Sequence, residues 1–291
     1  MRELEQILPE IALFRGKEVT AAPLSGGLTN TTYKVTAGGT PYVLRINGHQ
    51  NDFLRLDRSE EAAATRKANA LGIAPAVLED SPEYLITEFK PGRMLTRLKV
   101  HMPEFIRKIA AILRLAHTVT GVGRDCSPFY LAEQYLDGAR RLGLEFPDGL
   151  NACLREVERI QTRAARAAGY TRRYCHNDVY TINILEHNGE LCLIDWELSG
   201  MGSVFFDLAT VSSVNHFSDE EDALLLEEYF GAVEGEHTEL LRDMKVMNML
   251  REVAWALLHH AMQTKSPNPQ FDYYKNAVRF LNRLKDGYVT G

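Results

Sequence analysis

Arg173-Tyr-Cys-His-Asn-Asp-Val-Tyr-Thr-Ile-Asn-Ile-Leu185, running on through Asn188-Gly189 to Leu193-Ile-Asp-Trp-Glu197, is the stretch whose reading decides the fold. Ile182, Ile184 and Leu185 precede Asn188-Gly189, and Leu191-Cys-Leu-Ile194 follows. Asn-Gly between two apolar runs signals a hairpin closed by a two-residue type I′ turn. Such a turn pairs His187 with Glu190, and the register then sets Asn183 opposite Ile194. Asn183 and Asp195 therefore arrive side by side at the open end of the hairpin, and Asp178 lies in the loop that enters its first strand. Two carboxylates and a carboxamide converge there. Hard oxygen donors of this kind suit Mg²⁺, which takes few protein ligands and keeps its other positions for water and phosphate.

The rest of the chain sets bounds on the reading. At 291 residues it is long enough for two lobes or one large domain, and 45% hydrophobic with 25% charged residues is a globular composition. A net charge of -6 without a basic block argues against a nucleic-acid partner. Cys126, Cys153, Cys175 and Cys192 are scattered, with no C-x-x-C pair, as expected of reduced thiols in a cytoplasmic protein. No signal peptide and no uncharged apolar run long enough to span a membrane is visible. Oligomeric state is not legible.

The pattern His176-Asn-Asp178, Asn183 and Ile-Asp195 resembles the catalytic core of kinase-like phosphotransferases, in which protein kinases carry the related His-Arg-Asp…Asn and Asp-Phe-Gly. Asn at the second position, and Asp-Trp-Glu in place of Asp-Phe-Gly, resemble the small-molecule branch: choline/ethanolamine kinases and aminoglycoside phosphotransferases. The resemblance implies an α+β fold of two protein-kinase-like lobes. The N-lobe, residues 1–90, would be an antiparallel sheet with one helix, and the C-lobe, residues 91–291, mainly helical. It further implies that Asp178 orients and deprotonates an acceptor hydroxyl in a catalytic loop shared with His176. Asn183 and Asp195 would hold Mg²⁺ against the phosphates of ATP.

Taken in order, residues 3–15 have the spacing of a short helix, although Pro9 can divide it. Strands are expected over Val19–Leu24, Thr32–Thr36 and Tyr42–Ile46. The intervening Ser25-Gly26-Gly27-Leu-Thr-Asn30 suits a plain hairpin loop or a phosphate-covering one, and it resembles the choline kinase version. Arg45 stands where a protein kinase has its phosphate-binding Lys. Its partner is expected on the helix Ser59–Leu71, Glu61 first and Glu60 in reserve. Tyr84–Phe89 reads as a strand entering the hinge that would meet adenine through Glu88 and Phe89.

Helices are expected from Pro103 to His117, over Tyr130–Leu142 and Leu150–Ala168, and in the C-terminal third over Glu220–Tyr229, Glu239–Met262 and Tyr273–Leu284. His117 reads as structural. Asp207 suits a brace for the catalytic loop, a helix N-cap, or both. By resemblance to the end of choline kinases, Trp196, Trp255 and Tyr273 would surround a cationic amino group, with Glu197 as counter-charge. Aromatic residues on helices equally serve as core. ATP and a small cationic alcohol are the expected ligands, choline or ethanolamine foremost. The alternatives are an aminoglycoside, thiamine or sugar acceptor, or a silent nucleotide-binding module.

Overall fold

The computed structural model describes residues 4–24, 30–48, 51–121, 123–264 and 271–287. Five strands, β1 (Val19–Leu24), β2 (Thr31–Ala37), β3 (Thr40–Ile46), β4 (Val77–Asp80) and β5 (Tyr84–Glu88), form one antiparallel sheet in the order β1-β2-β3-β5-β4. Strand side chains alternate, so Val35, Ala37, Tyr42, Leu44, Ile46, Tyr84 and Ile86 share a small core with Ile7, Ile11 and Phe14. The expected helix over 3–15 is broken. A single turn, α1 (Leu4–Ile7), gives way to 3₁₀ turns at Leu8–Glu10 and Ala12–Phe14, because Pro9 lacks the N–H that a continuing α-helix needs.

The same alternation turns Arg45 to the other face of β3. Beyond a short α2 (Asn51–Leu54), α3 (Arg58–Ala70) is capped by Asp57, whose side chain accepts from the N–H groups of Ser59 and Glu60. Ala64 and Ala68 of α3 pack into the larger of the two cores.

That core is helical. It is built from α4 (Arg97–Val100), α5 (Pro103–Ala116), α6 (Pro128–Arg141), α7 (Leu150–Arg166), α8 (Val204–Asn215), α9 (Asp219–Phe230), α10 (Gly235–Ala261) and α11 (Tyr273–Gly287). Between the helices run β6 (Arg93–Met94), β7 (Arg172–Cys175), β8 (Ile184–His187), β9 (Glu190–Leu193) and β10 (Gly200–Ser203). Four strands were not expected from sequence, β4, β6, β7 and β10; each has at most four residues, too few for a period-two signal.

The hairpin has the register read from its turn. Ile184 pairs with Leu193 and His187 with Glu190, while the Ile194 N–H donates to Asn183 O at 3.0 Å. Asn188 and Gly189 both have positive φ, 53° and 83°, as a type I′ turn requires. The β7–β10 ladder ties the entry of this stretch to its exit, with Cys175 opposite Gly200. A Cβ on Gly200 would lie 2.5 Å from Cys126 Sγ and 2.8 Å from Arg124 O, so only glycine allows this approach. Among the described residues no helix is long and apolar enough to cross a membrane.

Candidate active site

β3 and α3 deliver the first ion pair. The Arg45 guanidinium meets Glu61 through two bonds of 2.5 and 2.6 Å, the planar fork that favours Arg over Lys at such a place. Glu60 faces elsewhere and accepts from the Arg124 N–H at 3.2 Å. Arg45 also reaches Asp195 at 3.2 Å, joining the sheet to the mouth of the hairpin. A second link runs through Glu197, which accepts from Arg58 and from the Asn30 amide, both at 2.7 Å. Burial works against the Glu197 carboxylate, but the Arg45 and Arg58 guanidiniums hold it below the usual range, so it stays ionised. Its charge is therefore committed to Arg58 and does not serve as a free counter-charge for an acceptor. Ser25, Gly26 and Gly27 lie outside the described residues.

The catalytic loop is held from beneath. Asp207, fully buried, accepts from the His176 N–H at 2.8 Å, the Asn177 N–H at 2.7 Å and His117 Nε2 at 3.0 Å. It braces the loop, as one of the two expected roles had it, while the N-cap position of α8 belongs to Ser203. His176 is itself buried and does not line the site. Burial keeps its imidazole neutral, so Nε2–H donates to Ile194 O at 3.0 Å and Nδ1 accepts from the Asp178 N–H at 3.3 Å. Its part is to support the loop rather than to touch a reactant, a correction to its place in the catalytic set.

Above the loop, Asp178, Asn183 and Asp195 share one cavity of about 300 Å³ with Asn30, Tyr180, Glu197, Glu252, Trp255 and Phe280. The Asn183 amide nitrogen donates to Asp178 O at 2.9 Å and to Asp178 Oδ2 at 2.8 Å, which turns the amide oxygen away from Asp178. Burial raises Asp178 to about 6, against the opposing pull of Arg251. Burial and the Glu197 carboxylate push Asp195 well above the carboxylate range. A cation held between Asp195 and Asn183 would reverse that. A larger groove of about 860 Å³ between α6 and α7 shares no residue with this mouth, so volume alone does not locate the chemistry.

Of the aromatic residues expected around the acceptor, only Trp255 lines the cavity. Trp196 is 1% exposed, donates Nε1–H to Leu193 O at 3.2 Å and packs on His176 with ring centres 4.7 Å apart. The left-handed turn at Asp195, φ 63°, swings the next side chain inward. Tyr273 is buried behind Trp255, stacked on His259 at 4.9 Å. At the hinge, the Glu88 side chain is bound by Lys90 and the Ala76 N–H, and its own N–H donates to Ala76 O at 2.9 Å. Glu88 therefore has no N–H to offer an adenine edge. Phe89 lies under Lys34 Nζ, 4.3 Å from the ring centre.

Residues 20–246 match the model of the phosphotransferase enzyme family (APH). The chain belongs to that family. This phosphotransferase is 26% identical to protein LicA of Haemophilus influenzae over 245 residues, 80% of this chain and 70% of that one. It is 27% identical to choline kinase B2 of Caenorhabditis elegans over 66% of this chain, a match spanning 56% of that protein. Among solved structures, a choline/ethanolamine kinase family protein from Mesorhizobium loti aligns with a TM-score of 0.79 at 26% identity, covering 97% of this chain and 92% of the other. The phosphotransferase is a small-molecule kinase of two-part α+β architecture, with its sheet N-terminal and its helices C-terminal.

Sequence reasoning missed three residues of this site: Arg58, Arg251 and Glu252. A signal for the last two was available. Arg251 and Glu252 interrupt a run of α10 that is otherwise apolar from Met249 to Leu258, and Arg251 stands one helical turn before Trp255.

Proposed function

We propose that this kinase transfers the terminal phosphoryl group of ATP to the hydroxyl of a small cationic amino alcohol, choline or ethanolamine foremost. One observation carries the reading. The cavity that holds Asp178, Asn183 and Asp195 also has Glu252 and Trp255 in its wall, and no hinge residue. Asp178 and Glu252 share a single buried guanidinium, that of Arg251, and the exposed Arg279 also lines the cavity. A carboxylate beside aromatic faces suits an ammonium group. The small cavity, at the low end for ligand pockets, suits a short acceptor.

Asp178 takes the hydroxyl proton as the acceptor oxygen attacks phosphorus; a base near pKa 6 is well matched to that task at neutral pH. Arg45, locked by Glu61, faces the phosphates. ATP use is also supported by a solved structure of LicA in complex with AMP, which has the same fold at a TM-score of 0.74. The Asn183 amide oxygen and the Asp195 carboxylate are hard donors and fit Mg²⁺. When bound there, the ion would supply positive charge to the phosphates.

The test is ADP release from Mg-ATP across choline, ethanolamine, thiamine and several aminoglycosides, with Asp178→Asn as control. Saturable turnover on choline or ethanolamine is expected, reduced by roughly 10²-fold or more in the variant. Turnover confined to thiamine or an aminoglycoside would overturn the acceptor assignment, and near-normal turnover by Asp178→Asn would overturn the role of Asp178.

A further inference from the structure

α10 sends one guanidinium into the floor of the site. Arg251 is 2% exposed and lies beside the rings of Tyr180 and Phe206, whose centres are 6.0 and 5.5 Å from its guanidinium carbon. Nη1 donates to Asn177 O at 2.8 Å, and both Nη atoms stand 3.5 Å from Asp178 Oδ1. Nη2 also donates to Glu252 Oε1 at 2.9 Å. Asp178 is thus tethered from two sides, by Arg251 at Oδ1 and by the Asn183 amide at Oδ2. The peptide before it is gripped likewise. Asp207 holds the Asn177 N–H and Arg251 holds the Asn177 carbonyl, at a residue whose φ is 62°.

Stability gives a poor reason for this arrangement. The guanidinium has two short bonds and two long contacts, and its Nε lacks a hydrogen-bond partner among the described residues; buried ionic groups of this kind often contribute no more to stability than apolar side chains of similar volume. Groups kept without such a gain cluster at functional sites.

We propose that Arg251 is a positioning residue for phosphoryl transfer, fixing the Asp178 carboxylate in the orientation that meets the acceptor hydroxyl and coupling it to Glu252 at the acceptor-binding wall. The proposal rests on the reading of Asp178 given above. A planar fork is needed because Asn177 O, Asp178 and Glu252 lie in three directions around one group. The point charge of a lysine reaches one or two of them at most.

The experiment measures kcat and KM for the preferred acceptor and for ATP in the parent, Arg251→Lys, Asp178→Asn and the double variant. Thermal melting serves as the check of folding. Arg251→Lys keeps the charge and is expected to lose roughly 10²-fold in kcat, since misplacing a catalytic group by an ångström is enough for that. The KM for ATP should stay within about twofold of the parent. In the Asp178→Asn background the same change should lower residual turnover no further, because the group that it positions is already disabled. Arg251→Ala with added guanidinium ion supplies the second arm, and partial rescue of kcat is expected. A folded Arg251→Lys enzyme with kcat within about twofold of the parent would overturn the proposal alone. Equal losses in the parent and Asp178→Asn backgrounds would overturn it too, by showing an effect that does not pass through Asp178. No acceptor-dependent turnover in the parent would overturn the reading of Asp178, and the proposal with it.

Discussion

Replacing Asp207 by Asn tests how the catalytic loop is held. The carboxylate accepts three bonds, from the Asn177 N–H at Oδ1 and from the His176 N–H and His117 Nε2 at Oδ2. An asparagine has one oxygen. Placed at Oδ2 it keeps two donors and turns its NH₂ toward the Asn177 N–H, leaving that buried donor without a partner; placed at Oδ1 it strands two. The first arrangement is therefore the one adopted. An unsatisfied buried donor costs about 1–3 kcal/mol, and reducing two charge-assisted bonds to neutral ones costs about 1 kcal/mol each. The total loss is about 3–5 kcal/mol, a large part of the stability of an ordinary domain. Urea unfolding should show this as a lower midpoint with an unchanged slope. The folded fraction should turn over slowly, with the KM for ATP little altered, because Arg45 and Asp195 are untouched. A loss under about 1 kcal/mol with normal kcat would refute the reasoning, since it would mean that these three donors have other partners.

Three further outcomes are expected. Activity should rise through about pH 6 as Asp178 ionises, and a flat kcat/KM profile from pH 5 to 7.5 would contradict a base whose pKa is raised to about 6 by burial. The sign for stability is the opposite: a carboxylate raised from 3.8 to about 6 opposes folding once ionised, so Asp178→Asn should be far less active yet more stable at neutral pH by up to about 3 kcal/mol, read from metal-free denaturation. His259 is buried and lowered to about 4, so its contribution is intact above the unfolded value of 6.5 and is lost as pH falls toward 4, by about 1.4 kcal/mol per pH unit; His259→Phe should lack that slope, which should then appear as the difference between the two proteins' stability curves. Glu61→Gln should weaken the hold on Arg45 and lower kcat/KM for ATP by roughly tenfold, whereas Glu60→Gln should stay within about twofold, and equal effects would contradict the assigned pair.

What could be read from sequence was what local rules dictate. Asn188-Gly189 fixes a turn, the turn fixes a register, and the register brings Asn183 to Asp195 without any tertiary information. Arg45 and Glu61 were legible for a similar reason, because alternation on β3 and the capped start of α3 restrict which residues can meet. The expectations that failed depend on one backbone angle or on long-range packing. Nothing in Asp-Trp-Glu reveals that Asp195 has a positive φ, yet that angle sends Trp196 into the core instead of the cavity. The β7–β10 ladder joins residues 25 to 31 apart through strands of four residues, too short to announce themselves. His259 takes up the ring face of Tyr273, an arrangement set by how α10 meets α11.

The missed guanidiniums follow a rule that the acidic motif hides. Asp178, Asp195, Glu197 and Glu252 all border one cavity, and carboxylates so close together would lose their charge unless cations were supplied. The cations come from three elements distant in sequence: Arg45 on β3 for Asp195, Arg58 on α3 for Glu197, and Arg251 on α10 for Asp178 and Glu252. None of them can be found by spacing from the hairpin. Each can be found by asking which buried positions must be cationic to offset so many buried carboxylates. On α10 that question has a single answer within the apolar run, Arg251. The acidic residues can therefore be gathered into one buried site only where sheet, α3 and α10 are docked together to supply these cations.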